Sequence, residues 1–166
     1  MEQITIPHSR AAELSSMLES LSKRLGCSIE LREGNEVLIN GNGYNEYNAR
    51  NVIQAFGRGF EIKKALRLLD EEYFFKYIRL KDAYGNKKQM LRVKARLIGE
   101  DGRAKEHIEE VSGAEIEIYG DTVGIIGKIN ELGIALPAIE VLMEGGTHKK
   151  AYRVMEAARR KLEEGA

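Results

Sequence analysis

The alternation of hydrophobic and polar residues predicts that the first third of the chain forms a small α/β unit. Short runs alternate between polar and apolar residues, as in half-buried strands, and longer runs place apolar residues every three or four positions, as in amphipathic helices. Gly34-Asn35 separates two alternating runs and predicts a hairpin turn. The predicted order is strand, helix, hairpin and helix, over residues 3–6, 14–25, 28–40 and 45–57.

The same order recurs in the second half, where an additional helix precedes the hairpin. A glycine-rich break over 57–60 and one short amphipathic helix over 62–69 separate the two halves. A group of four aromatic residues follows, for which core packing is favoured over base stacking: Tyr73, Phe74, Phe75 and Tyr77. The second set of strands and helices is predicted over 77–80, 87–97, 103–111, 115–119, 122–126 and 129–143, with a closing basic helix over 152–162.

Two glycines flank two acidic residues, Gly99-Glu100-Asp101-Gly102, between the two predicted helices of the second half. Glycine is needed where a backbone takes a positive φ or approaches a ligand closely. A helix that begins near Arg103 would direct free N–H groups and its positive dipole end toward this loop, a place that suits a phosphate. The order strand, helix, GxxG, helix, strand, strand, helix resembles that of a KH domain, which binds single-stranded RNA.

The formal net charge is zero, but charge is distributed unevenly along the sequence. The segment 79–98 contains seven basic residues and one acidic residue, and the segment 149–161 contains six basic residues and one acidic residue. Between them, 106–144 contains nine acidic residues and one lysine. Basic segments of this size can hold phosphates, although most charged runs are solvated helix faces.

The sequence gives little support to an enzyme. No apolar run approaches the length of a membrane span, and the first residues have no secretory signal pattern. Cys27 is the single cysteine, so no internal disulfide or cysteine metal cluster is expected in what we predict to be a cytoplasmic protein. The three histidines lack metal-ligand spacing, and no phosphate-binding GxxxxGK motif occurs. We therefore predict a non-enzyme with no catalytic residue, metal or cofactor.

The second half also resembles a known family, the archaeal and eukaryotic KH-domain factors of small ribosomal subunit assembly known as partners of the Nob endonuclease. The segments that carry the resemblance are 57–60, 64–70, 96–102, 119–123 and 139–145, together with His148 and Tyr152. The resemblance implies an α+β fold with two tandem type I KH domains, each a three-stranded antiparallel sheet packed by helices on one face. The short N-terminal segment favours an archaeal rather than a eukaryotic member.

The resemblance implies a function as well. Such proteins bind the 3′ region of small-subunit (16S) ribosomal RNA and assist the endonuclease that trims it, and the archaeal ones are linked to the α subunit of translation initiation factor two. We therefore expect an RNA-binding ribosome biogenesis factor that assists rRNA maturation. The alternative is a protein–protein adaptor whose KH folds have lost RNA clamping and which docks a nuclease or that α subunit.

Four segments are predicted: a degenerate KH domain without a GxxG loop over 1–58, a helical linker over 59–75, a KH domain with the loop over 76–147, and a C-terminal basic helix over 148–166. In the first domain a helix continues through 11–16, where the loop would occur. We expect this domain to pack and orient rather than to clamp RNA.

The residues predicted to bind RNA lie in the loop and on its flanking helices. Family members usually carry a basic residue between the two glycines, whereas this chain has two carboxylates there. A carboxylate about 6 Å from a phosphate costs about 0.7 kcal/mol in water and about 3 kcal/mol at an effective dielectric near 20. The groove wall and the basic segment 79–96 are therefore expected to make the main RNA contacts, with Arg103 and Lys105 offsetting part of the repulsion. Ile98, Ile108 and Ile116 are candidates for an apolar floor beneath the bases. The predicted RNA-binding set is Arg92, Lys94, Arg96, Ile98, Gly99, Glu100, Asp101, Gly102, Arg103 and Lys105.

Overall fold

The structure, a computed structural model, describes residues 1–165. The chain divides into two compact units, Met1–Glu71 and a second that begins at Glu72. Each unit contains a three-stranded antiparallel sheet in which the last strand in sequence lies between the other two. Helices pack on both sheets, so the predicted α+β class is confirmed.

The first unit follows the predicted order of strand, helix, hairpin and helix. Buried side chains of both long helices and of the central strand form its interior, among them Leu14, Ile39, Ile53 and Phe56. A short helix follows and continues as a 3-10 turn over Leu66–Leu69, where the sequence predicted one helix. The elements are β1 (Glu2–Thr5), α1 (His8–Leu25), β2 (Ser28–Arg32), β3 (Glu36–Asn40), α2 (Gly43–Gly57) and α3 (Ile62–Ala65).

Helix α1 is the single helix between the first two strands of this unit, and it runs without interruption through the position where a GxxG loop would occur. Arg10 fixes α1 to the end of α2. Its Nε donates a hydrogen bond to the carbonyl oxygen of Phe56 at 3.0 Å, and its Nη2 donates to that of Phe60 at 2.8 Å. The guanidinium carbon also lies 3.9 Å from the Phe56 ring centroid. These contacts serve packing rather than ligand binding.

The second unit has the predicted order, with a one-turn helix added after its first strand. The elements are β4 (Tyr73–Arg79), α4 (Leu80–Ala83), α5 (Lys87–Ile98), α6 (Arg103–Ser112), β5 (Glu115–Tyr119), β6 (Thr122–Lys128), α7 (Ile129–Met143) and α8 (His148–Glu164). Its core joins the sheet to α5, α6, α7 and α8 through buried residues such as Val93, Ile108, Ile125, Ile139 and Met155. Helix α7 spans the predicted residues although Pro137 lies inside it.

Two boundaries in the second unit differ from the predictions. Strand β4 begins at Tyr73 rather than Tyr77, because the aromatic run itself is extended and pairs with β6. Phe74 is 47% exposed, so the predicted core role is wrong for this residue. Helix α8 begins at His148, which is the start of the predicted C-terminal segment 148–166 but one turn before the periodic run 152–162, because the Thr147 side chain caps it by accepting a hydrogen bond from the Lys150 N–H at 3.0 Å.

The predicted linker over 59–75 is divided between the two units, since residues up to Glu71 belong to the first. Of the predicted C-terminal helix over 148–166, Ala166 lies outside the described residues. Within residues 1–165, no helix is both long and apolar enough to cross a membrane. The same residues contain no group of three His, Cys, Asp or Glu side chains placed to hold a metal ion.

Candidate nucleic-acid interface

The GxxG loop is a tight turn between α5 and α6. Gly99 has φ 76° and ψ 175°, Asp101 has φ 55°, and Gly102 has φ 76°. The Gly99 N–H donates to the Ala95 carbonyl at 2.9 Å and ends α5, and the Gly102 N–H donates to the Gly99 carbonyl at 3.2 Å and closes the turn. Three of the four loop residues thus have positive φ, and α6 begins at Arg103 as predicted.

The two glycines are needed for different reasons. A Cβ atom on Gly99 would lie 2.6 Å from the Ala104 Cβ and 2.7 Å from the Ala104 backbone nitrogen. A Cβ atom on Gly102 would meet nothing within 4 Å. Gly99 therefore allows the loop to pack against the first turn of α6, whereas Gly102 leaves open space beside the start of that helix.

The N-terminus of α6 is open to solvent. Gly102 is its N-cap, and no side chain caps the helix. Glu100, Asp101 and Arg103 are exposed around it. The Arg103 N–H donates to the Glu100 carbonyl oxygen. The backbone N–H groups that follow Arg103 in the first turn, together with the positive end of the helix dipole, can attract a phosphate and donate to its oxygens.

Both lysines predicted to bind RNA form contacts within the protein. The Lys94 Nζ donates to the Gly120 carbonyl at 2.6 Å and lies 3.6 Å from Asp121 Oδ1, so it joins α5 to the β5–β6 turn. The Lys105 Nζ lies 3.1 Å from Glu109 Oε1 on the same helix. Both ammonium groups are partly neutralised in the absence of RNA.

Of the three arginines in the predicted set, one forms a contact within the protein and two do not. Arg96 donates a hydrogen bond to the carbonyl oxygen of Gly146, before α8. Arg92 and Arg103 are exposed, and neither has an ion-pair or hydrogen-bond partner among residues 1–165. These two are the cations of the predicted set whose charge remains available to a ligand.

The three isoleucines proposed as an apolar floor also differ. Ile108 and Ile116 are at most 3% exposed and belong to the core. Ile98 is 37% exposed at the end of α5. The Ile116 N–H on the edge strand β5 donates to Glu109 Oε2 at 3.0 Å, so the carboxylate that binds Lys105 also holds this backbone donor. Only Ile98 is therefore placed to touch a base.

An exposed apolar residue near the loop was absent from the predicted set. Leu91 is 62% exposed, and it shares one face of α5 with Ala95 and Ile98, at positions i, i+4 and i+7. We call these three residues the apolar strip. A cleft of about 280 Å³ lies at its start, lined by Lys87, Met90, Leu91, Lys94 and Asp121. The helical spacing of Leu91, Ala95 and Ile98 on the solvent face of α5 was the signal that could have indicated the apolar strip.

The fold and the loop together define the class of protein. A three-stranded antiparallel sheet, helices in the order required, a GxxG turn between two of them and an open helix N-terminus beside it make the second unit a type I KH domain. The first unit has the same sheet order with one helix in place of the helix–loop–helix segment.

Comparison with known proteins identifies the family. The family model for the second KH domain of PNO1, described as a eukaryotic type KH-domain (KH-domain type I), matches residues 74–160. KH domain-containing protein MJ0443 of Methanocaldococcus jannaschii is 32% identical to this chain over an alignment of 171 positions, which covers 98% of this chain and 75% of that relative. The chain belongs to the PNO1 family of KH-domain proteins, and the resemblance noted from the sequence is confirmed.

Two further similarities extend the comparison. The pre-rRNA-processing protein pno1 of Aspergillus fumigatus is 31% identical over 103 residues, which cover 60% of this chain and 41% of that longer relative. A solved structure, described as an a/eIF2alpha-aDim2p-rRNA complex from Pyrococcus horikoshii, contains a chain with 35% identity and a TM-score of 0.87. That match covers 96% of this chain and 94% of the other.

Proposed function

We propose that this protein is an RNA-binding ribosome biogenesis factor that binds the 3′ region of small-subunit rRNA through its second unit and assists rRNA maturation. The observation that carries the proposal is the open GxxG loop in a chain of the PNO1 family. The names of two similar proteins support it, since one is a pre-rRNA-processing protein and the other was solved in a complex with rRNA.

In this proposal the loop holds the RNA backbone and the apolar strip contacts bases. The N–H groups at the start of α6 bind a phosphate, and the charges of Arg92 and Arg103 attract its neighbours. Leu91 and Ile98 offer apolar surface beside the loop. Phosphate contacts set the position of the strand, and contacts to bases supply the sequence preference.

Lys94, Arg96 and Lys105 have a different role in this proposal from the one expected from the sequence. Lys94 fixes the β5–β6 turn beside the cleft, Arg96 fixes the segment before α8, and Lys105 orients Glu109. These three side chains shape the RNA-binding surface and contribute to its positive potential, but their contacts within the protein keep them from binding a phosphate directly.

The two carboxylates of the loop weaken this binding without preventing it. Each exposed carboxylate at about 6 Å from a phosphate costs about 0.7 kcal/mol in water and about 3 kcal/mol at an effective dielectric near 20. A hydrogen bond to a charged group contributes about 1.5–3 kcal/mol. Two or three such bonds from the loop and the arginines, about 3–9 kcal/mol together, offset a combined repulsion of about 1.4–6 kcal/mol.

The alternative function is a protein–protein adaptor that docks a nuclease or the α subunit of translation initiation factor two. The acidic loop and the uninterrupted α1 of the first unit favour it, since neither is suited to clamping RNA. The similar archaeal chain solved in a complex with a/eIF2alpha supports the second of these partners.

The proposal is tested by titrating the protein with a short single strand that matches the 3′ end of 16S rRNA, beside a scrambled strand, at two salt concentrations. The proposal predicts tighter binding of the native strand and a steep loss of affinity with salt. No binding by the folded protein, or binding that neither salt nor sequence changes, would overturn it and favour the adaptor.

A charge-reversed pair locates the binding surface. Arg92→Glu with Arg103→Glu is expected to weaken binding of every strand and to lower the slope of log affinity against log salt by about 1.4, because each phosphate contact contributes about 0.7. Arg96 is unsuitable for this purpose because it holds Gly146. The matched control, Lys23→Glu with Arg24→Glu, makes the same charge change on α1 of the first unit and should leave the slope unchanged.

A further inference from the structure

Helix α8 presents a row of cations to solvent, none of which belongs to the predicted RNA-binding set. At 3.6 residues per turn, five basic residues fall on one face about 120° wide and about 18 Å long. All five are exposed: Lys149, Lys150, Arg153, Arg160 and Lys161. We call them the α8 basic face. The opposite side of the helix contains Ala151 and Met155, which are fully buried in the core.

The charges of the α8 basic face are not neutralised within the protein. None of its five members has an ion-pair partner among residues 1–165. Glu164 lies on the same face at its C-terminal end and Glu156 borders the face, but neither forms an ion pair with it in this part of the chain. The ion pair that α8 does contain, Arg159 with Glu163 at 3.3 Å, lies outside the face. Five unpaired cations on a rigid helix form a surface that attracts a polyanion.

The start of α8 is fixed to the helix that leads into the GxxG loop. The His148 Nε2 lies 2.8 Å from the Arg96 carbonyl oxygen, and Arg96 donates back to the carbonyl oxygen of Gly146. One turn further on, Tyr152 packs against His107 of α6, with ring centroids 4.4 Å apart. Burial raises the pKa of the Tyr152 hydroxyl, as expected for a ring held between helices. The α8 basic face therefore begins beside the last turn of α5, three residues before Gly99.

We propose that the α8 basic face is a second RNA-binding surface, which holds the sugar–phosphate backbone of the strand after it leaves the GxxG loop. This inference rests on the proposed function, and it extends the binding site from about four nucleotides at the loop to a longer segment. The row of charges is suited to a phosphate backbone because it follows the helix over about 18 Å and the face has no aromatic side chain to stack on bases, its apolar residue being the small Ala157. It should therefore add affinity without sequence preference.

The test compares RNA lengths. One strand of about four nucleotides fills the loop, and two others carry the same core with about eight added nucleotides at the 5′ or the 3′ end. The wild-type protein is expected to bind one of the two extended strands more tightly and with a salt slope steeper by about 0.7 for each added phosphate contact. Scrambling the added nucleotides should leave this gain unchanged.

The variant is Arg153→Glu with Arg160→Glu, and the matched control is again Lys23→Glu with Arg24→Glu. The variant should lose most of the gain from the extension, with a slope lower by about 1.4, while it binds the short strand within about twofold of wild type. Arg153→Gln with Arg160→Gln is the second variant if charge reversal disturbs the helix, and it should lower the slope by a similar amount, because it also removes two phosphate contacts.

The outcomes for the α8 basic face differ from those for the RNA-binding function on which this inference rests. If the wild-type protein binds the short strand but gains nothing from either extension, or if the variants keep the gain, the α8 basic face is not an RNA surface, and an acidic protein becomes its better partner. An equal effect of the control would also contradict the inference, because it would reduce the result to net charge. Binding of no strand at all would overturn the proposed function itself.

Discussion

Replacing Gly99 by alanine is expected to destabilise the second unit far more than replacing Gly102. Gly99 lies at φ 76° and ψ 175°, a region almost restricted to glycine, where another residue costs about 1–3 kcal/mol. Its new Cβ would also overlap Ala104, including the backbone nitrogen at 2.7 Å, and such overpacking costs about 1–3 kcal/mol more. The expected loss is therefore about 2–6 kcal/mol.

Gly102→Ala provides the contrast within the same loop. At φ 76° and ψ 9° its backbone is left-handed, which costs a non-glycine residue about 1–2 kcal/mol, and its Cβ meets no atom within 4 Å. Alanine also restricts the unfolded chain, which offsets about 0.4–1 kcal/mol of the loss in both variants. The net loss should therefore be about 0–1.6 kcal/mol for Gly102→Ala, against about 1–5.6 kcal/mol for Gly99→Ala after the same offset.

The assay is urea unfolding of the full chain, followed at the backbone amides of the second unit so that the first unit does not obscure the transition. Gly85→Ala is the control, because Gly85 has neither a positive φ nor an atom within 4 Å of an added Cβ. Equal losses for Gly99→Ala and Gly102→Ala would refute the argument that the first glycine is required by close packing and the second only by its backbone angle.

Three further predictions concern charge, the apolar strip and the thiol. Glu100→Lys with Asp101→Asn should tighten RNA binding by about 2 kcal/mol at low salt, since two repulsions are removed and one attraction is added. Asparagine is chosen because it tolerates the φ of 55° at that position, and weaker binding in the titration would place the loop away from the RNA. Leu91→Ser should leave the free energy of unfolding within about 0.5 kcal/mol and lower RNA affinity severalfold, whereas unchanged affinity would exclude the apolar strip. Burial and, secondarily, the charge of Glu46 raise the pKa of the Cys27 thiol, so the folded protein should react with an alkylating agent at pH 8 much more slowly than the unfolded protein. Equal alkylation rates for the folded and unfolded protein would contradict the burial of the Cys27 thiol.

The sequence was sufficient to predict the order of elements and the loop. Hydrophobic periodicity fixed the strands and helices because each has one buried face, and Gly99 and Gly102 marked the turn because positive φ favours glycine. The first residue of β4 could not be predicted from the sequence pattern. An aromatic run such as 73–77 has the composition of a core segment, and only its pairing with β6 shows that Phe74 faces solvent.

The side-chain partners of the loop could not be predicted in the same way. Lys94 and Arg92 are two residues apart and similar in charge, yet one reaches the β5–β6 turn while the other remains in solvent. This difference depends on contacts between residues that are distant in sequence, such as Lys94 with Gly120 and Arg96 with Gly146. Local spacing can indicate that a segment is basic, but it cannot show which cations are already engaged.

The most direct test of the central claim is a map of backbone amide chemical shifts in the second unit as a short single strand from the 3′ end of 16S rRNA is added. The account predicts that the largest changes occur from Gly99 to Lys105, with further changes at Leu91 and Ile98, and that they saturate with the binding curve. Changes confined to other surfaces, with the loop amides unmoved at saturation, would contradict the claim that the GxxG loop of this protein binds RNA.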